Sequence, residues 1–456
     1  MKTIFFTISR GALIRNFFRS GVIPNLLERG KQVVILTPNY DDPELFKEWQ
    51  YDNLFFEPLY KPKKKKFERI FRELYRGAIF NRTVHFLYKH KLYGKEPSKL
   101  LYYPRIIILP VLRYIPGFKK FVHWLDFKIN PQTEHEYLFK KYQPDLVFST
   151  AAGCYTESGP LKSAKRFKAK TVCMPKSWDN MSKALFNFKT DYLIVWSKFM
   201  LKQATEYQGY KKDEVIITGI PQFDYYAKKE NIIPREEFCR RHNLDPKKKI
   251  IFYGSNGVNE NYEFMFPEII KEFMDTGELE NVQVLVRPHL GYVGDADQFK
   301  PLAEYDNFAV DLTDKQSDKF KDHWDPSLNH LRNLFNSLYH ADVSINIAST
   351  LILDSTACGT PVININFDVR EIKNFCESVK RFYQTDYIRA VMASQATWLV
   401  ETKEELLDAL KRILSGEKKD EEKLKNFINY FMYKIDGHSA ERVANNLIKI
   451  AENKLS

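Results

Sequence analysis

The sequence predicts an α/β protein of two domains, each built on a parallel sheet, that face each other across a cleft. Three observations predict this class. Short apolar runs alternate with helical patterns, and the alternation starts afresh after the polar stretch 246–249. The third observation is length, because 456 residues exceed what one hydrophobic core normally organises. The composition, with 44% hydrophobic and 28% charged residues, excludes the fibrous and disordered classes.

The first half of the chain predicts one doubly wound domain over 1–225. Ser197 is a candidate N-cap and Gly209 a candidate C-terminal stop for a helix between two of its strands. Its strand candidates are short apolar runs at 3–8, 32–36, 53–56, 146–149, 171–174, 192–196 and 215–218. This alternation is typical of a Rossmann-like domain.

The second half repeats the pattern and predicts a second Rossmann-like domain over 226–435, followed by a C-terminal segment, 436–456, with a last helix at 440–454. Its strand candidates lie at 250–253, 282–286, 308–310, 343–347 and 362–365, and its helical patterns at 267–274, 328–339, 351–358, 406–414 and 424–433. Ligands of open α/β sheets bind outside the carboxyl ends of the strands. Polar residues that directly follow a strand are therefore the candidate site residues.

Positive charge is concentrated in a predicted helical insertion, 60–130, of the first domain. The whole chain carries a formal charge of +12, whereas residues 61–128 hold 18 basic and 4 acidic residues together with 14 aromatic ones. Cations mixed with aromatic rings favour contact with an anionic membrane surface or a lipid-linked acceptor. A solvated loop with a lysine run at 63–66 and aromatic residues in a core is the alternative. Nucleic acid binding is disfavoured, because no known nucleic-acid module is present.

Targeting and redox features predict a cytoplasmic protein, either free or peripheral at the inner face of the cell membrane. No apolar run approaches the length of a spanning helix, and the first residues form a strand pattern, not a signal peptide. Five widely spaced cysteines without a CxxC pair favour a reducing compartment over a disulfide framework.

The segment 345–363 carries the strongest motif: a strand, a small polar turn, a helix, a Gly359-Thr360-Pro361 break and another strand. Ser349 and Thr350 fall at the start of the helix, where backbone N–H groups and the helix dipole favour a phosphate. Asp354 follows one turn later, where its carboxylate can accept from ribose hydroxyls. The alternative is that Ser349 only caps the helix and Asp354 points to solvent.

Two further motifs follow the first and second strands of the second domain. Arg287 and His289 come directly after an apolar strand. A guanidinium there suits a pyrophosphate, and an imidazole can donate to a phosphate oxygen or stabilise a leaving group. The small residues Gly254, Ser255 and Asn256 let backbone amides approach a diphosphate. The alternatives are Arg287 in an interdomain salt bridge, His289 as a packed side chain, and an ordinary turn at 254–257.

Two acidic residues of the first domain are candidates for a general base. Asp179 lies in the segment Lys176-Ser177-Trp178-Asp179-Asn180 after a strand, where a carboxylate can take a proton from an acceptor hydroxyl. The alternative is that Asp179, together with Asn180, only organises a turn. Glu157, after another strand, is the second choice.

Three stretches resemble a known superfamily: 177–183, Thr218-Gly219-Ile220-Pro221-Gln222-Phe223-Asp224, and the block 349–361. Across 145–415 the chain resembles the GT-B glycosyltransferases, and among them bacterial surface-polysaccharide enzymes related to the CDP-glycerol glycerophosphotransferases and the UDP-N-acetylglucosamine 2-epimerases. The resemblance implies a nucleotide-activated donor held by the second domain, a last helix that crosses back to the first domain, and no metal or other cofactor.

By motif position, the resemblance implies that Ser349 and Thr350 hold the diphosphate, Asp354 the ribose, and Arg287 with His289 the phosphates. One departure stands out, because the glycerophosphotransferases carry a His-Gly pair where this chain has Trp178-Asp179. We therefore expect a glycosyltransferase that moves a sugar from a nucleotide-sugar donor to a glycan or lipid-linked acceptor. Transfer of an alditol phosphate from a cytidine diphosphate donor and a catalytically dead membrane scaffold are the alternatives.

Overall fold

The computed structural model describes residues 1–43, 47–62, 65–90, 99–151, 153–257, 262–313, 317–320, 322–323 and 327–454. The described residues divide into two compact units. Those within Met1–Lys89, Pro97–Asp224 and Tyr430–Ser456 form the first unit, and those within His90–Glu96 and Tyr225–Asn429 form the second. Each unit contains one parallel sheet with helices around it.

The first unit contains a seven-stranded parallel sheet with the order β3-β2-β1-β4-β5-β6-β7. Its strands are β1 (Thr3–Thr7), β2 (Gln32–Thr37), β3 (Leu54–Pro58), β4 (Leu146–Ser149), β5 (Lys170–Cys173), β6 (Tyr192–Val195) and β7 (Val215–Ile217). Strand β1 is buried along its whole length, as expected for a strand covered on both faces. The strand order reverses between β1 and β4, which makes that crevice the switch point where open α/β sheets bind ligands.

The second unit contains a six-stranded parallel sheet with the order β10-β9-β8-β11-β12-β13. Its strands are β8 (Lys249–Gly254), β9 (Val282–Arg287), β10 (Phe308–Val310), β11 (Val343–Asn346), β12 (Val362–Ile365) and β13 (Trp398–Val400). The reversal here lies between β8 and β11, which pair from Val343 with Ile251 to Asn346 with Gly254. The predicted α/β class with two Rossmann-like domains is confirmed.

The described α-helices are α1 (Gly11–Ile14), α2 (Val22–Glu28), α3 (Lys65–Gly77), α4 (Arg82–Lys89), α5 (Lys99–Tyr114), α6 (Phe118–Ile129), α7 (Glu136–Tyr142), α8 (Tyr155–Phe167), α9 (Lys198–Gln203), α10 (Arg235–His242), α11 (Met265–Asp275), α12 (Leu328–His340), α13 (Leu351–Ala357), α14 (Asp386–Ala393), α15 (Lys403–Leu414), α16 (Glu421–Phe427) and α17 (Ser439–Ala451). The Ser197 hydroxyl accepts from the Met200 N–H and caps α9, and Gly209 adopts φ 74° after a π-helical turn. The short strand β13 was not among the strand candidates.

Helices α3 to α6 form the insertion and share a small hydrophobic core. Phe71 and Tyr75 of α3, Val84 of α4, Leu109 of α5 and Val122 of α6 are buried in it. The predicted lysine run 63–66 falls largely outside the description, since Lys63, Lys64 and the side chains of Lys65 and Lys66 are not covered. No helix within the described ranges has both the length and the apolar character needed to cross a bilayer.

Helix α17 belongs to the first unit and packs on α2. The Asp224 carboxylate accepts from the N–H groups of Ser439 (2.9 Å) and Ala440 (2.7 Å), so it neutralises the amino end of this helix. Gly219, with φ 87°, lets the chain pass close to α17, because a Cβ there would lie 2.5 Å from the Ser439 hydroxyl oxygen.

Candidate functional site

Three loops at adjacent strand ends meet at the switch point of the second sheet. We call them the donor loops, because they contain the residues predicted to bind a nucleotide-activated donor: 254–257 after β8, 287–292 after β9 and 346–350 after β11. The Asn256 side-chain amide donates to the Ile347 carbonyl at 2.6 Å, and the Ser255 N–H donates to the Arg287 carbonyl at 3.0 Å. The structure thus brings together Gly254, Ser255, Asn256, Arg287, His289, Ser349 and Thr350.

Two glycines allow the donor loops to approach each other. A Cβ on Gly254 would lie 2.3 Å from the Leu351 side chain. Gly257 has φ +68°, and a Cβ there would lie 2.4 Å from Tyr292 and 2.6 Å from the Cβ of His289. A side chain at either position would push neighbouring donor loops apart.

The loop after β11 places Ser349 and Thr350 ahead of α13. Asn346 accepts from the Ser349 N–H through its side-chain oxygen (3.2 Å), and the Ser349 hydroxyl accepts from the Leu351 N–H (3.2 Å). Ser349 is half-buried and Thr350 is exposed. The Ser349 hydroxyl therefore stabilises the turn itself, while Thr350 presents its side chain to solvent. Helix α13 contains seven residues, one fewer than the sequence indicated.

Asp354 lies on α13, one turn beyond Thr350. Its carboxylate accepts a hydrogen bond from the Tyr226 hydroxyl at 2.7 Å. The Tyr226 ring stacks on Phe335, with ring centroids 5.2 Å apart, so the hydroxyl is held in place. The contact to ribose implied by the resemblance stays a prediction. In the structure the Asp354 carboxylate already has a tyrosine partner.

Arg287, the last residue of β9, is buried and forms an ion pair with Asp311. The His330 ring nitrogen Nδ1 lies 3.4 Å from the same guanidinium. Asp311 also accepts from the Thr313 N–H at 3.1 Å. This salt bridge lies within the second unit, whereas the alternative considered for Arg287 was an interdomain one, and it largely balances the charge of the guanidinium.

His289 is held in one tautomer by its own loop. Its Nδ1 accepts from the Gly291 N–H at 3.1 Å, which leaves the ring proton on Nε2. Burial, with a smaller effect from the nearby His330, lowers the pKa of His289 to about 4. The imidazole is therefore neutral near pH 7. Its Nε2–H is a hydrogen-bond donor, and the bond from the Gly291 N–H to Nδ1 fixes the orientation of the ring.

Two carboxylates that the sequence analysis did not select hold the donor loops. Glu263 accepts from the Asn256 N–H (2.8 Å) and the Tyr253 hydroxyl (3.1 Å), and Asp295 accepts from the His289 N–H (2.6 Å). Burial, followed by the charge of Asp295, raises the pKa of Glu263 to about 8. The rule used to select site residues misses both, because neither directly follows a strand: Glu263 sits before a helix and Asp295 begins a short 3-10 helix.

At the switch point of the first sheet the predicted base Glu157 is fully buried and bridges the ends of β1 and β4. From the β1 side it accepts from the hydroxyls of Thr7 and Ser9. From the β4 side it accepts from the Ser149 hydroxyl (2.8 Å) and from the N–H groups of Thr150 and Ala151 (both 2.9 Å). These contacts account for both carboxylate oxygens without a substrate.

The other predicted base, Asp179, lies in the loop after β5 and forms an ion pair with Lys183. Burial opposes ionisation of Asp179, but the charge of Lys183 and hydrogen bonds from Lys183 and Ser177 outweigh it and lower the pKa below its usual value. The Trp178 ring is buried and packs against Phe199 and Phe431, with ring centroids 6.0 and 6.1 Å away. Trp178 therefore packs among aromatic side chains, and Asp179 is an ionised carboxylate beside an ammonium.

Of the predicted residues, Glu157 and Asp179 belong to the first unit and the donor-binding residues belong to the second. Their catalytic and binding roles remain predictions. Within the part of the chain that the structure describes, no group of three or more His, Cys, Asp or Glu side chains is placed to hold a metal ion.

Comparison with known proteins adds a family and a fold. The family model of the CDP-glycerol:poly(glycerophosphate) glycerophosphotransferases matches residues 165–449, more than half of the chain. That range contains the whole second sheet, all three donor loops and Asp179, but not Glu157. No curated protein sequence matches the chain significantly.

Solved structures of the same overall fold cover nearly all of the chain. A UDP complex of Staphylococcus aureus MnaA matches with TM-score 0.54 and 12% identity over 100% of this chain and 98% of the other. A putative UDP-N-acetylglucosamine 2-epimerase from Listeria monocytogenes gives 0.56 and 12% over 99% and 98%. A variant of the wall teichoic acid polymerase TagF gives 0.51 and 11% over 100% and 90%. At these identities the matches establish the GT-B-like fold alone.

Proposed function

Because the chain belongs to the CDP-glycerol:poly(glycerophosphate) glycerophosphotransferase family, we propose that it transfers an alditol phosphate, such as glycerol or ribitol phosphate, from a cytidine diphosphate donor to a hydroxyl of a growing surface polymer. The match to the family, which takes in every donor loop, is the observation that carries this proposal. It favours phosphate chemistry over the glycosyl transfer that the sequence analysis preferred.

The donor diphosphate sits at the switch point of the second sheet in this proposal. Gly254 and Gly257 let the loops around this site pack closely on one another, and Thr350 offers an exposed hydroxyl. The Nε2–H of neutral His289 donates to a phosphate oxygen. The Arg287 guanidinium adds positive charge at the end of β9, although the Asp311 carboxylate balances most of that charge.

The reaction breaks one phosphoanhydride bond. The acceptor oxygen attacks the phosphorus that carries the alditol and forms a new O–P bond to it. The bond from the same phosphorus to the oxygen that bridges the two phosphates breaks. Cytidine monophosphate leaves with the bridging oxygen, and the hydroxyl proton passes to a base, for which Asp179 is our candidate. Donors aimed at the leaving phosphate stabilise its developing charge, which usually dominates catalysis of this kind.

Glycosyl transfer is the second candidate, and the sequence of the first-unit loop favours it. This chain has Trp178-Asp179 where the glycerophosphotransferases carry a His-Gly pair. In this version the acceptor oxygen bonds to the anomeric carbon of a nucleotide sugar, the bond from that carbon to the phosphate oxygen breaks, and a nucleoside diphosphate leaves. The donor loops suit both reactions, because the donor contains a diphosphate group in each.

The released nucleotide separates the two candidates. Purified protein is incubated with polymer acceptor and, in parallel, with CDP-glycerol, CDP-ribitol and a panel of uridine and other nucleoside diphosphate sugars, and the products are resolved by mass spectrometry. Cytidine monophosphate together with an acceptor lengthened by an alditol phosphate supports the proposal. A nucleoside diphosphate with a glycosylated acceptor supports the second candidate, and no turnover with any donor supports a binding protein without activity.

His289→Gln tests the assigned donor in the same assay. Glutamine keeps a polar side chain but not the fixed Nε2–H, so we expect a fall in kcat of roughly a hundredfold, in line with the loss of one donor to a developing anion. His438→Gln is the matched control, because His438 is an exposed histidine of the first unit. Equal activity of wild-type protein and His289→Gln would remove His289 from the mechanism.

A further inference from the structure

Ala348, in the donor loop after β11, has a backbone conformation that alanine rarely adopts. Its φ is 46°, in the left-handed region where a Cβ comes too close to the following carbonyl oxygen. Gln143, Lys168 and Asn243 also have positive φ, but each of them ends a helix, where this conformation is usual. Ala348 instead lies between a strand and a helix, so its conformation needs support from its surroundings.

The two neighbours of Ala348 are each fixed by an asparagine side chain. On one side, the Ile347 carbonyl accepts from the Asn256 side-chain amide at 2.6 Å. On the other side, the Ser349 N–H donates to the side-chain oxygen of Asn346 at 3.2 Å. Asn346 is fully buried at the end of β11, so its side chain has little freedom to move. These contacts hold the chain on both sides of the left-handed residue.

A third support comes from Tyr383, a buried residue that follows β12 in the same unit. Its hydroxyl donates to the Ile365 carbonyl at 2.7 Å, at the end of β12, and the Ala348 N–H interacts with the same hydroxyl. Burial raises the pKa of Tyr383, and the Ala348 N–H lowers it by a smaller amount. The hydroxyl therefore stays protonated and links the end of β12 to the loop after β11.

The segment that carries Tyr383 is itself tied to the sheet. It is a short 3-10 helix, Val379–Gln384. The Asp368 carboxylate, three residues beyond the end of β12, accepts from the Ser378 hydroxyl at 2.6 Å and from the Val379 N–H at 2.8 Å. The position of the Tyr383 ring is therefore set by the sheet, which makes it a firm support for the loop.

We propose that Tyr383 and Asn346 are positioning residues for the donor. Together they hold Ala348 in its left-handed conformation, and this conformation fixes where Thr350 stands in the donor loops. Both act through the loop backbone and not by touching the donor. Strained residues persist where the surrounding structure enforces them, and they are concentrated at binding and catalytic sites. The inference rests on the proposed function, because the loop has this role only if the donor diphosphate binds there.

Hydrogen–deuterium exchange of the protein without nucleotide tests whether Tyr383 holds the loop. Tyr383→Phe removes the hydroxyl and keeps the ring, and we expect exchange in 347–350 to become roughly tenfold faster. Tyr305→Phe is the matched control, because Tyr305 belongs to the same unit and packs on Phe308 of the edge strand β10. Unchanged exchange in Tyr383→Phe would overturn the proposal.

Calorimetric titration with cytidine diphosphate tests whether the shape of the loop matters to the donor. We expect Tyr383→Phe and Asn346→Ala each to lower nucleotide affinity roughly tenfold, while thermal unfolding shows that both variants are folded. Faster exchange with unchanged affinity would give Tyr383 a role in the fold alone and would also overturn the proposal. If wild-type protein bound no cytidine diphosphate, the proposed function would fail, whereas the exchange result would still show whether Tyr383 holds the loop.

Removal of the strain at Ala348 supplies a readout that general destabilisation would not produce. Glycine adopts positive φ without support, so Ala348→Gly combined with Tyr383→Phe should restore nucleotide affinity to within about threefold of wild type. Asn281→Gly combined with Tyr383→Phe is the control, because Asn281 has φ 54° elsewhere in the second unit and its replacement should restore nothing. Equal affinities of the two double variants would contradict the claim that Tyr383 acts by holding the backbone at Ala348.

Discussion

The switch point of the first sheet is bridged by a carboxylate, whereas that of the second sheet is bridged by an amide. In the first unit Glu157 accepts hydrogen bonds from residues that follow both β1 and β4. In the second unit Asn256 donates a single hydrogen bond to the Ile347 carbonyl across the equivalent crevice between β8 and β11. The two crevices occupy the same place in the same strand order.

This difference supports the second unit as the one that binds a phosphate in our proposal. A buried carboxylate at the first switch point repels an anion, and its hydrogen-bond donors are already engaged. The second switch point presents glycines, hydroxyls and the neutral His289, while its own acids, Glu263 and Asp295, lie behind the loops they hold. Fold position alone therefore does not assign a binding site, and the charge of the bridging residue supports our proposal that the donor binds at the second switch point.

The largest effect we expect comes from breaking the first bridge. Glu157→Ala leaves the hydroxyls of Thr7 and Ser9 and two backbone N–H groups without their acceptor, so it should destabilise the first unit by about 3–5 kcal/mol. Urea unfolding followed by circular dichroism measures this. Glu206→Ala, at an exposed glutamate of the same unit, should change stability by less than about 0.5 kcal/mol.

An opposite pattern for Glu157 would reverse its assignment. If Glu157→Ala unfolded like wild type but lost transfer activity, the carboxylate would be a general base and the comparison between the two crevices would fail.

The second effect depends on pH and concerns Glu263 behind the donor loops. Its pKa is about 8 in the folded protein and near 4.5 when the chain unfolds, so the folded state binds the extra proton between these values. Stability from this group is present below about pH 4.5 and is lost as pH rises through about 8. Glu263→Gln, which imitates the protonated form, should therefore stabilise the second unit at pH 8 by on the order of 2 kcal/mol.

Thermal unfolding at pH 5 and pH 8 measures the difference, with the exposed Glu278→Gln as the control. His289 acts with the other sign, because its pKa is lowered to about 4 and its contribution is lost as pH falls from 6.5 towards 4. A variant Glu263→Gln with the same pH dependence as wild type would show that Glu263 is ionised in the folded protein.

The third effect concerns the spacing of the donor loops. Gly257→Ala places a methyl group against Tyr292 and His289 at a backbone conformation that disfavours alanine, and we expect donor affinity to fall roughly tenfold. Gly277→Ala separates the two causes, since Gly277 has φ +74° but an added Cβ would meet nothing within 4 Å. Calorimetric titration with cytidine diphosphate compares them. Equal affinities would place the donor away from Gly257.

The smallest effect tests whether Asp354 belongs to the fold or to the donor. Tyr226→Phe removes the hydroxyl that donates to Asp354, and we expect a loss of about 1 kcal/mol in stability with less than a threefold change in donor affinity. Tyr225→Phe controls for packing, because its ring also contacts Phe335. If Tyr226→Phe instead changed donor affinity tenfold, the Asp354 carboxylate would be a ligand of the ribose.

The sequence predicted the sheets well and the contacts of the site less well, for separate physical reasons. Twelve strand candidates correspond to observed strands because buried parallel strands are nearly continuous apolar runs. Strand β13 was not predicted because it is only three residues long and its middle residue, Leu399, is exposed. Residues at strand ends could be selected by position, and seven of them do meet in the donor loops.

Partners could not be predicted, since each is distant in sequence. Asp311 lies 24 residues from Arg287, and Tyr226 lies 128 residues from Asp354. A pattern of residue types shows which side chains stand near a strand end, but whether a charge is already paired depends on tertiary contacts. Glu263 and Asp295 show a different limit, because they lie only seven and six residues from the backbone groups they hold but do not directly follow a strand.

Hydrogen–deuterium exchange with and without cytidine diphosphate tests most directly the claim that the second switch point binds the donor. We expect slower exchange on nucleotide binding in 254–257, 287–295 and 346–351, with no change around Glu157 in the first unit. Nucleotide binding that protects the segments at Thr7–Arg10 and 149–157 instead, and leaves the donor loops unchanged, would contradict it.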